Sequence, residues 1–100
     1  MKIHLESDYV TKEIKLNGKI LDPKKSMDVW NYCPTGFMWG HGGSGSSQLA
    51  LAILLEFLPQ NEAVDRHEDF KWKVIARLPQ AKFDLEIDIS KWLASENSTG

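Results

Sequence analysis

A glycine- and serine-rich segment directly before an apolar stretch is the part of this sequence whose residue types could do chemistry. It runs from Gly40 to Ser47, and four of its eight residues are glycine. The order G-x-G-x-x-G before a helix suits a phosphate group, because glycines allow close backbone approach and a helix N-terminus offers unpaired N–H groups. The candidate anion site consists of His41, Gly42, Gly43, Ser44, Gly45, Ser46 and Ser47.

Catalytic interpretations of this segment lack the surroundings that the chemistry needs. A dinucleotide-binding unit continues into a parallel strand, whereas here a second predicted helix follows. A P-loop needs a lysine where this chain has Ser46. A hydrolase built on Ser44 and His41 needs a separate nucleophile elbow and a longer chain. We therefore expect no catalytic residue and no enzyme. The alternative to anion binding is that the glycines serve packing and the serines cap the helix.

Aromatic side chains cluster just before the glycine-rich segment. Trp30, Tyr32, Phe37 and Trp39 lie within ten residues of one another. They could form a stacking platform for a base, although in a small domain aromatic residues more often fill the core. We expect Trp30 and Tyr32 to stand on the outer face of a sheet, which makes them candidates for a partner-binding surface.

Charge and composition narrow the classes of ligand. The chain of 100 residues has 12 basic and 14 acidic side chains and a net charge of −2, so nucleic acid is not an expected partner. A single cysteine, Cys33, excludes an internal disulfide. The soft metal ligands are Cys33, His4, His41 and His67. Because no two of them share a metal-binding spacing, we expect no metal site and no cofactor.

The elements that position these residues follow from hydrophobic periodicity and turn signals. Alternation predicts strands near residues 2–6, 13–16, 19–22, 27–33 and 82–88, with Asn17-Gly18 as a type I′ turn between the second and third. Apolar composition predicts a buried helix over 46–57, and charge placement predicts a second helix over 62–78. Asp88 caps a predicted short helix through Ile89, Trp92 and Leu93.

These elements predict an α+β fold. N-terminal hairpins and one late strand form a small, largely antiparallel sheet, covered by the central apolar helix, the second helix and the short C-terminal helix. We expect residues 1–94 to form a single domain and residues 95–100 a flexible tail. The apolar run at 49–58 is about half the length needed to span a bilayer, and the polar N-terminus does not read as a signal peptide. The expected location is the cytoplasm.

The glycine-rich segment and the helix after it also carry a family resemblance. The string G-F-M-W-G-H-G-G-S-G-S-S-Q-L-A-L-A over residues 36–52 resembles the signature of the bacterial and phage domain-of-unknown-function 6166 family, G-F-x-W-G-Y-G-G-S-G-P-A-Q-L-A-L-A. Residues 69–71 and 89–93 are similar to that family as well. The chain departs from the signature at His41, where the family has tyrosine, and at Ser46-Ser47, where it has Pro-Ala. Proline suits the first turn of a helix, which favours the structural interpretation of the segment.

Two functional hypotheses remain open at this point. The resemblance implies no established activity, but members of the family are associated with plasmids, prophages and other mobile elements. It therefore implies an accessory role, such as inhibition of a host defence protein. The first hypothesis is a non-enzymatic cytoplasmic protein that acts by protein contact. The alternative is a small-molecule module that holds a phosphate-bearing ligand or nucleotide at the glycine-rich loop.

Overall fold

The protein is an α+β domain, as the sequence predicts. The computed structural model describes residues 2–90 and 92–93. Its strands are β1 (Lys2–Ser7), β2 (Ile14–Leu16), β3 (Lys19–Ile20) and β4 (Asp84–Asp88). Its helices are α1 (Pro23–Val29), α2 (Ser44–Leu55) and α3 (Gln60–Lys73), and a short 3-10 turn spans Ile75–Arg77. The strands form one antiparallel sheet in the order β3-β2-β1-β4.

The sheet buries one face and exposes the other. In β1, Ile3, Leu5 and Ser7 are buried, whereas the residues between them are half-buried and polar. Leu5 lies opposite Leu16 of β2 on one side and Leu85 of β4 on the other. Because side chains alternate between the faces of a strand, this register puts the apolar residues of neighbouring strands together.

The predicted hairpin between β2 and β3 is confirmed. Asn17 and Gly18 have φ angles of 52° and 83°, the left-handed pair that a type I′ turn requires. The Asn17 side-chain oxygen also accepts the His4 backbone N–H at 2.9 Å, which ties the turn to β1. The Asn-Gly turn therefore places β3 at the edge of the sheet.

Helix α2 is the centre of the molecule. Every residue from Gly45 to Leu54 is buried, as the apolar composition predicts, and the helix packs on both α3 and α1. It spans Ser44–Leu55, two residues earlier at each end than predicted. Gln48 lies fully buried in the middle of this apolar helix, and it needs hydrogen-bonding partners there.

The partners of Gln48 belong to the segment at 26–33. Its side-chain oxygen accepts the backbone N–H groups of Tyr32 at 2.7 Å and Cys33 at 3.1 Å. Its side-chain nitrogen donates to the Ser26 hydroxyl at 2.9 Å and to the Trp30 carbonyl at 3.0 Å. Gln48 therefore clamps the chain that leads out of α1 against the central helix.

The predicted strand over Met27–Cys33 is wrong. Residues 23–29 form helix α1, followed by an irregular segment. The alternation of apolar and polar residues imitates a strand, but the local signals favour a helix. Asp22 accepts the Lys24 N–H at 2.9 Å as an N-cap, and Pro23 occupies the first turn, where its missing N–H costs nothing.

The second predicted helix is confirmed for most of its length. It runs over Gln60–Lys73, and the chain then turns through Ile75–Arg77 instead of continuing to Leu78. Pro79 disfavours helical geometry at the residue before it. The turn also buries Ile75, whose carbonyl accepts the Gly40 N–H at 3.0 Å. The contact of Ile75 with the glycine-rich loop is therefore made in place of a further turn of α3.

The last predicted strand is present, and the described residues that follow it include helical ones. Strand β4 pairs with β1, with Leu85 more exposed than the alternation predicts because β4 is an edge strand. Asp88 accepts the Ser90 N–H at 2.9 Å, and Ser90, Trp92 and Leu93 are helical. The predicted flexible tail at 95–100 and the domain boundary at 94 lie outside the described residues. Among the helices that the structure describes, none is long and apolar enough to cross a membrane.

Candidate functional site

The start of α2 carries fewer free N–H groups than the sequence predicts. The Gly43 N–H donates to His41 Nδ1 at 3.0 Å, and the N–H groups of Ser46 and Ser47 both donate to the Gly43 carbonyl at 3.1 Å. Within the described residues, this leaves the N–H groups of Ser44 and Gly45 without an acceptor. These two amides are what the first turn of the helix can offer to an anion.

Packing accounts for two of the glycines in the loop. A Cβ atom at Gly42 would lie 2.1 Å from the Trp72 ring, so only glycine lets this indole cover the loop. A Cβ atom at Gly45 would lie 2.7 Å from Met38 Cβ and 2.9 Å from the Met38 nitrogen. These contacts explain both positions without a ligand.

The three serine hydroxyls of the loop have different surroundings. Ser44 is exposed, whereas Ser46 is fully buried and its hydroxyl has no hydrogen-bonding partner among the residues that the structure describes. Ser47 is buried and its hydroxyl donates to the Glu68 carboxylate at 3.4 Å. A carboxylate beside this hydroxyl repels an anion, which reduces the part of the predicted site that could hold a phosphate.

Cys33 lies beside the same helix start. Its pKa is lowered from the ordinary value, first by the hydroxyl of Thr35, whose Oγ1 is 3.1 Å from the sulfur, and also by the Ser44 side chain. Burial opposes this effect. The thiol is half-buried, so the structure gives this cysteine more thiolate character than a free cysteine has.

Trp30 and Tyr32 do not stand on the outer face of the sheet. That placement depended on a strand at 27–33, and the segment instead follows α1 and packs against α2 and α3. Trp30 remains 60% exposed, and its ring lies 6.0 Å from that of Tyr32. Tyr32 is half-buried, and its ring lies 5.2 Å from the imidazole of His67 on α3.

A chain of hydrogen bonds fixes Tyr32 on α3. His67 is buried, and its Nδ1 lies 2.6 Å from the Val64 carbonyl, so this nitrogen carries the proton. The Tyr32 hydroxyl therefore donates to His67 Nε2, at 2.6 Å. Burial raises the pKa of Tyr32, which keeps this hydroxyl protonated. The arrangement holds the ring in place and leaves its edge accessible.

A paired charge lies next to His67 on α3. Burial alone would raise the pKa of Glu68, but the Lys71 ammonium, 2.7 Å away, together with His67 and the Ser47 hydroxyl, outweighs burial and holds that pKa below its usual range. Lys71 is only 6% exposed, and its ammonium lies 4.6 Å from the ring of Trp72. Trp72 itself is 58% exposed.

These contacts join two exposed indoles into one surface. We define the Trp30–Trp72 surface by the residues Trp30, Tyr32, Glu68, Lys71 and Trp72. Each is linked to the next through the ring contacts and hydrogen bonds given above, with His67 as the buried link between Tyr32 and Glu68. The surface presents aromatic side chains on either side of a neutralised ion pair.

Trp72 is the aromatic residue of this surface that the sequence prediction missed, along with the charged residues Glu68 and Lys71. The buried positions of α3 include Ala63, His67 and Phe70, which recur at helical spacing. Trp72 lies outside that stripe, so a helix at these residues already implies an exposed indole. The predicted helix over 62–78 therefore contained the signal for this exposed residue.

Comparison with known proteins identifies the family. The profile of a family of unknown function (DUF6166) matches residues 5–95 of the chain. No curated protein and no solved structure matches it. The match covers all three helices and the whole sheet except the first three residues of β1, and the chain belongs to the domain-of-unknown-function 6166 family.

Proposed function

We propose that this protein acts by binding another protein through the Trp30–Trp72 surface. The observation that carries the proposal is the exposure of two of its four tryptophans, 60% for Trp30 and 58% for Trp72, on one connected surface. Tryptophan and tyrosine are enriched among the residues that dominate binding energy at protein interfaces. Two large indoles in water are costly for a small domain unless a partner covers them.

The side chains of this surface are held in place before any partner arrives. Tyr32 is fixed by its hydrogen bond to His67, and the Trp72 ring fills the space that Gly42 leaves open. Gln48 holds the Trp30 carbonyl. Binding therefore costs less conformational entropy than it would for free aromatic side chains.

The charges of the surface indicate what the partner offers. Lys71 is neutralised by Glu68, so no free positive charge within the described part of this surface is left for a phosphate backbone. The chain as a whole carries a net charge of −2. A partner with apolar side chains and a few hydrogen-bonding groups fits this surface, whereas a nucleic acid does not.

We propose the cytoplasm as the location of this binding. The narrower form of the proposal follows from the family resemblance, which implies mobile elements and inhibition of a host defence protein. This narrower proposal specifies a host defence protein as the partner. Identification of the protein that the surface binds tests it.

A phosphate-bearing ligand at the glycine-rich loop is the second proposed function. Its support is the pair of free amides at Ser44 and Gly45 at the start of a helix of 12 residues. Glu68 and the packing of Trp72 on Gly42 count against it. A titration with phosphate and nucleotides, followed by the amide NMR signals of residues 42–47, tests it. Shifts that saturate below a few millimolar would support this function over protein contact.

Affinity capture with matched variants tests the protein-binding proposal. The full chain, Trp30→Ala, Trp72→Ala and the control Val10→Ala are each used to capture proteins from a lysate of the host. Val10 is 91% exposed and lies outside the surface, so it controls for loss of any exposed apolar side chain. The captured protein is then purified and its affinity for each variant is measured.

The expected result is a loss of affinity of about 30-fold or more for each tryptophan variant, the size of a hot-spot residue, with Val10→Ala unchanged. Equal binding by all four proteins contradicts the proposal. Self-association of the chain that depends on Trp30 and Trp72 would replace the foreign partner with a second copy of this protein.

A further inference from the structure

The exposed face of the sheet brings together three side chains that can bind a metal ion. His4 and Glu6 alternate on β1, and Asp84 lies on the neighbouring strand β4. In the register of the two strands, Glu6 is directly opposite Asp84, and His4 is two residues along on the same face. The sequence could not show this group, because His4 and Asp84 are 80 positions apart.

The three side chains are within reach of one ion. His4 Nε2 contacts Asp84 Oδ1, and His4 Nδ1 lies 3.7 Å from Glu6 Oε1. One ligand atom from each residue can be chosen so that all lie within 4.8 Å of one another. A tetrahedral ion with bonds near 2.1 Å places its ligands about 3.4 Å apart, so small side-chain rotations suffice.

The two opposing carboxylates give this face a reason to bind a cation. Like charges directly across a pair of strands repel each other. Two lysines on the same face offset part of this repulsion: Lys2 is paired with Glu86 at 3.7 Å, and Lys15 of β2 lies directly opposite Glu6 on its other side. In the described residues, His4 is the group that contacts both Glu6 and Asp84, and it offers them one proton. A divalent ion supplies twice that charge.

We propose that His4, Glu6 and Asp84 form a binding site for a divalent transition-metal ion of the zinc type. One imidazole nitrogen and two carboxylate oxygens are ligands that Zn²⁺ accepts, and three protein ligands leave a fourth position for water. The imidazole selects against Mg²⁺, which prefers oxygen ligands alone. On binding, the ion replaces the proton between His4 and Asp84, and that proton leaves to solvent.

All three side chains are partly open to solvent, so the ion can enter without rearrangement of the fold. The side chains of His4 and Glu6 are 40% exposed and that of Asp84 is 64% exposed. The site lies on the sheet, whereas the Trp30–Trp72 surface lies on α3 and on the segment that follows α1. The metal site therefore does not depend on the proposed protein contact.

Calorimetric titration of the full chain, without a histidine tag, with ZnCl₂ tests the assignment. The ring signals of His4 are followed in parallel by NMR. We expect one ion per chain, a shift of the His4 signals, and no such shift with MgCl₂. His4→Gln and Asp84→Asn should each weaken binding at least tenfold, since each removes a ligand. Circular dichroism checks that both variants stay folded.

Two variants serve as matched controls. Glu86→Gln removes a carboxylate of the same face that is paired with Lys2, and His41→Gln removes an imidazole from the glycine-rich loop. Both should bind Zn²⁺ within twofold of the unaltered chain. No binding at 1 mM ZnCl₂ (about −4 kcal/mol) overturns the proposal. Binding that survives in Asp84→Asn, or that is lost in either control, also overturns it.

Discussion

The four tryptophans of this protein divide into two pairs with opposite surroundings. Trp39 and Trp92 are buried, and each donates its indole N–H, to the Ala81 carbonyl at 2.9 Å and to Asp69 at 2.7 Å. Trp30 and Trp72 are more than half exposed, and within the described residues neither indole N–H has an acceptor. The same residue type thus builds the core in one region and faces water in the other.

The difference in burial indicates which of the tryptophans stabilise the fold. Trp39 is enclosed by edge-on contacts with Tyr9 and Phe83, at 5.9 Å and 5.4 Å between ring centroids. The exposed pair is held at the surface: the Trp30 carbonyl is bound by Gln48 and its ring lies beside Tyr32, whereas the Trp72 ring covers Gly42 and lies 4.6 Å from the Lys71 ammonium. Removal of a buried indole should unfold the protein, whereas removal of an exposed one should affect binding alone.

The largest effect is expected for the buried pair. Trp39→Ala should lower the free energy of unfolding by about 3–5 kcal/mol, because it leaves a cavity in the core beside Tyr9 and Phe83. Urea denaturation followed by circular dichroism measures this. Trp39→Phe keeps a ring but loses the bond to the Ala81 carbonyl, so it should cost less. A cost for Trp39→Ala below about 1 kcal/mol would contradict the assignment of this residue to the core.

Gln48 joins the segment that carries the exposed Trp30 to the buried helix α2. Its loss should have the next largest effect on stability. Gln48→Leu keeps an apolar side chain of similar size but leaves the N–H groups of Tyr32 and Cys33 without their acceptor. A cost of about 2–3 kcal/mol is expected from these unpaired groups. Amide hydrogen exchange should accelerate at Tyr32 and Cys33 more than in α3. Unchanged exchange at these two amides would show that the clamp does not hold the segment.

Gly42 tests how firmly Trp72 is held. Gly42→Ala places a Cβ atom 2.1 Å from the Trp72 ring, which must then move away. We expect a cost of about 1–2 kcal/mol in the unaltered background and little cost in Trp72→Ala, so the two substitutions are coupled. Urea denaturation of the four proteins of this double-mutant cycle measures the coupling. Additive costs would indicate that the ring does not rest on the loop.

The exposed pair should matter little for stability. Trp30→Ala is expected to change the free energy of unfolding by no more than about 0.5 kcal/mol, as for other surface substitutions. The same urea denaturation measures it. A cost near that of Trp39→Ala would remove the distinction between the two pairs of tryptophans.

Cys33 provides a pH-dependent measurement at the border of the two regions. Because its pKa is lowered, the Cys33 thiolate should form at a lower pH than the thiolate of a free cysteine. The rate of alkylation by iodoacetamide should therefore reach half its maximum at a lower pH for Cys33 than for a free cysteine. Thr35→Val removes the hydroxyl with the largest effect, so the midpoint should rise in this variant. A midpoint that is the same in both proteins would exclude Thr35 as the cause.

The sequence predicted the elements whose signals are local. Asn17-Gly18 predicts a turn because both residues readily adopt positive φ angles. The apolar run after Gly45 predicts a buried helix because apolar residues occupy all of its faces. The segment at 27–33 was misassigned because its alternation outweighed the cap at Asp22 and Pro23. The local sequence contains both a strand-like alternation and the signals of a helix start. The hydrogen bonds from Gln48 to the Ser26 hydroxyl and the Trp30 carbonyl stabilise the helical arrangement.

The candidate sites depended on contacts between distant residues, which the sequence does not display. Trp72 covers Gly42 from 30 positions away, and this contact gives that glycine a packing role that the sequence does not display. The group of His4, Glu6 and Asp84 likewise exists only through the pairing of β1 with β4. Periodicity gives the face on which each residue lies, but the register decides what it meets.

Site-specific photo-cross-linking in host cells tests the central claim most directly. A benzophenone amino acid replaces Trp30, Trp72 or, as the control, Val10, and the adducts are resolved by mass. The account predicts the same discrete partner attached at positions 30 and 72 and none attached at position 10. No adduct at 30 and 72, or the same adduct from position 10, would contradict the claim that this surface binds a protein.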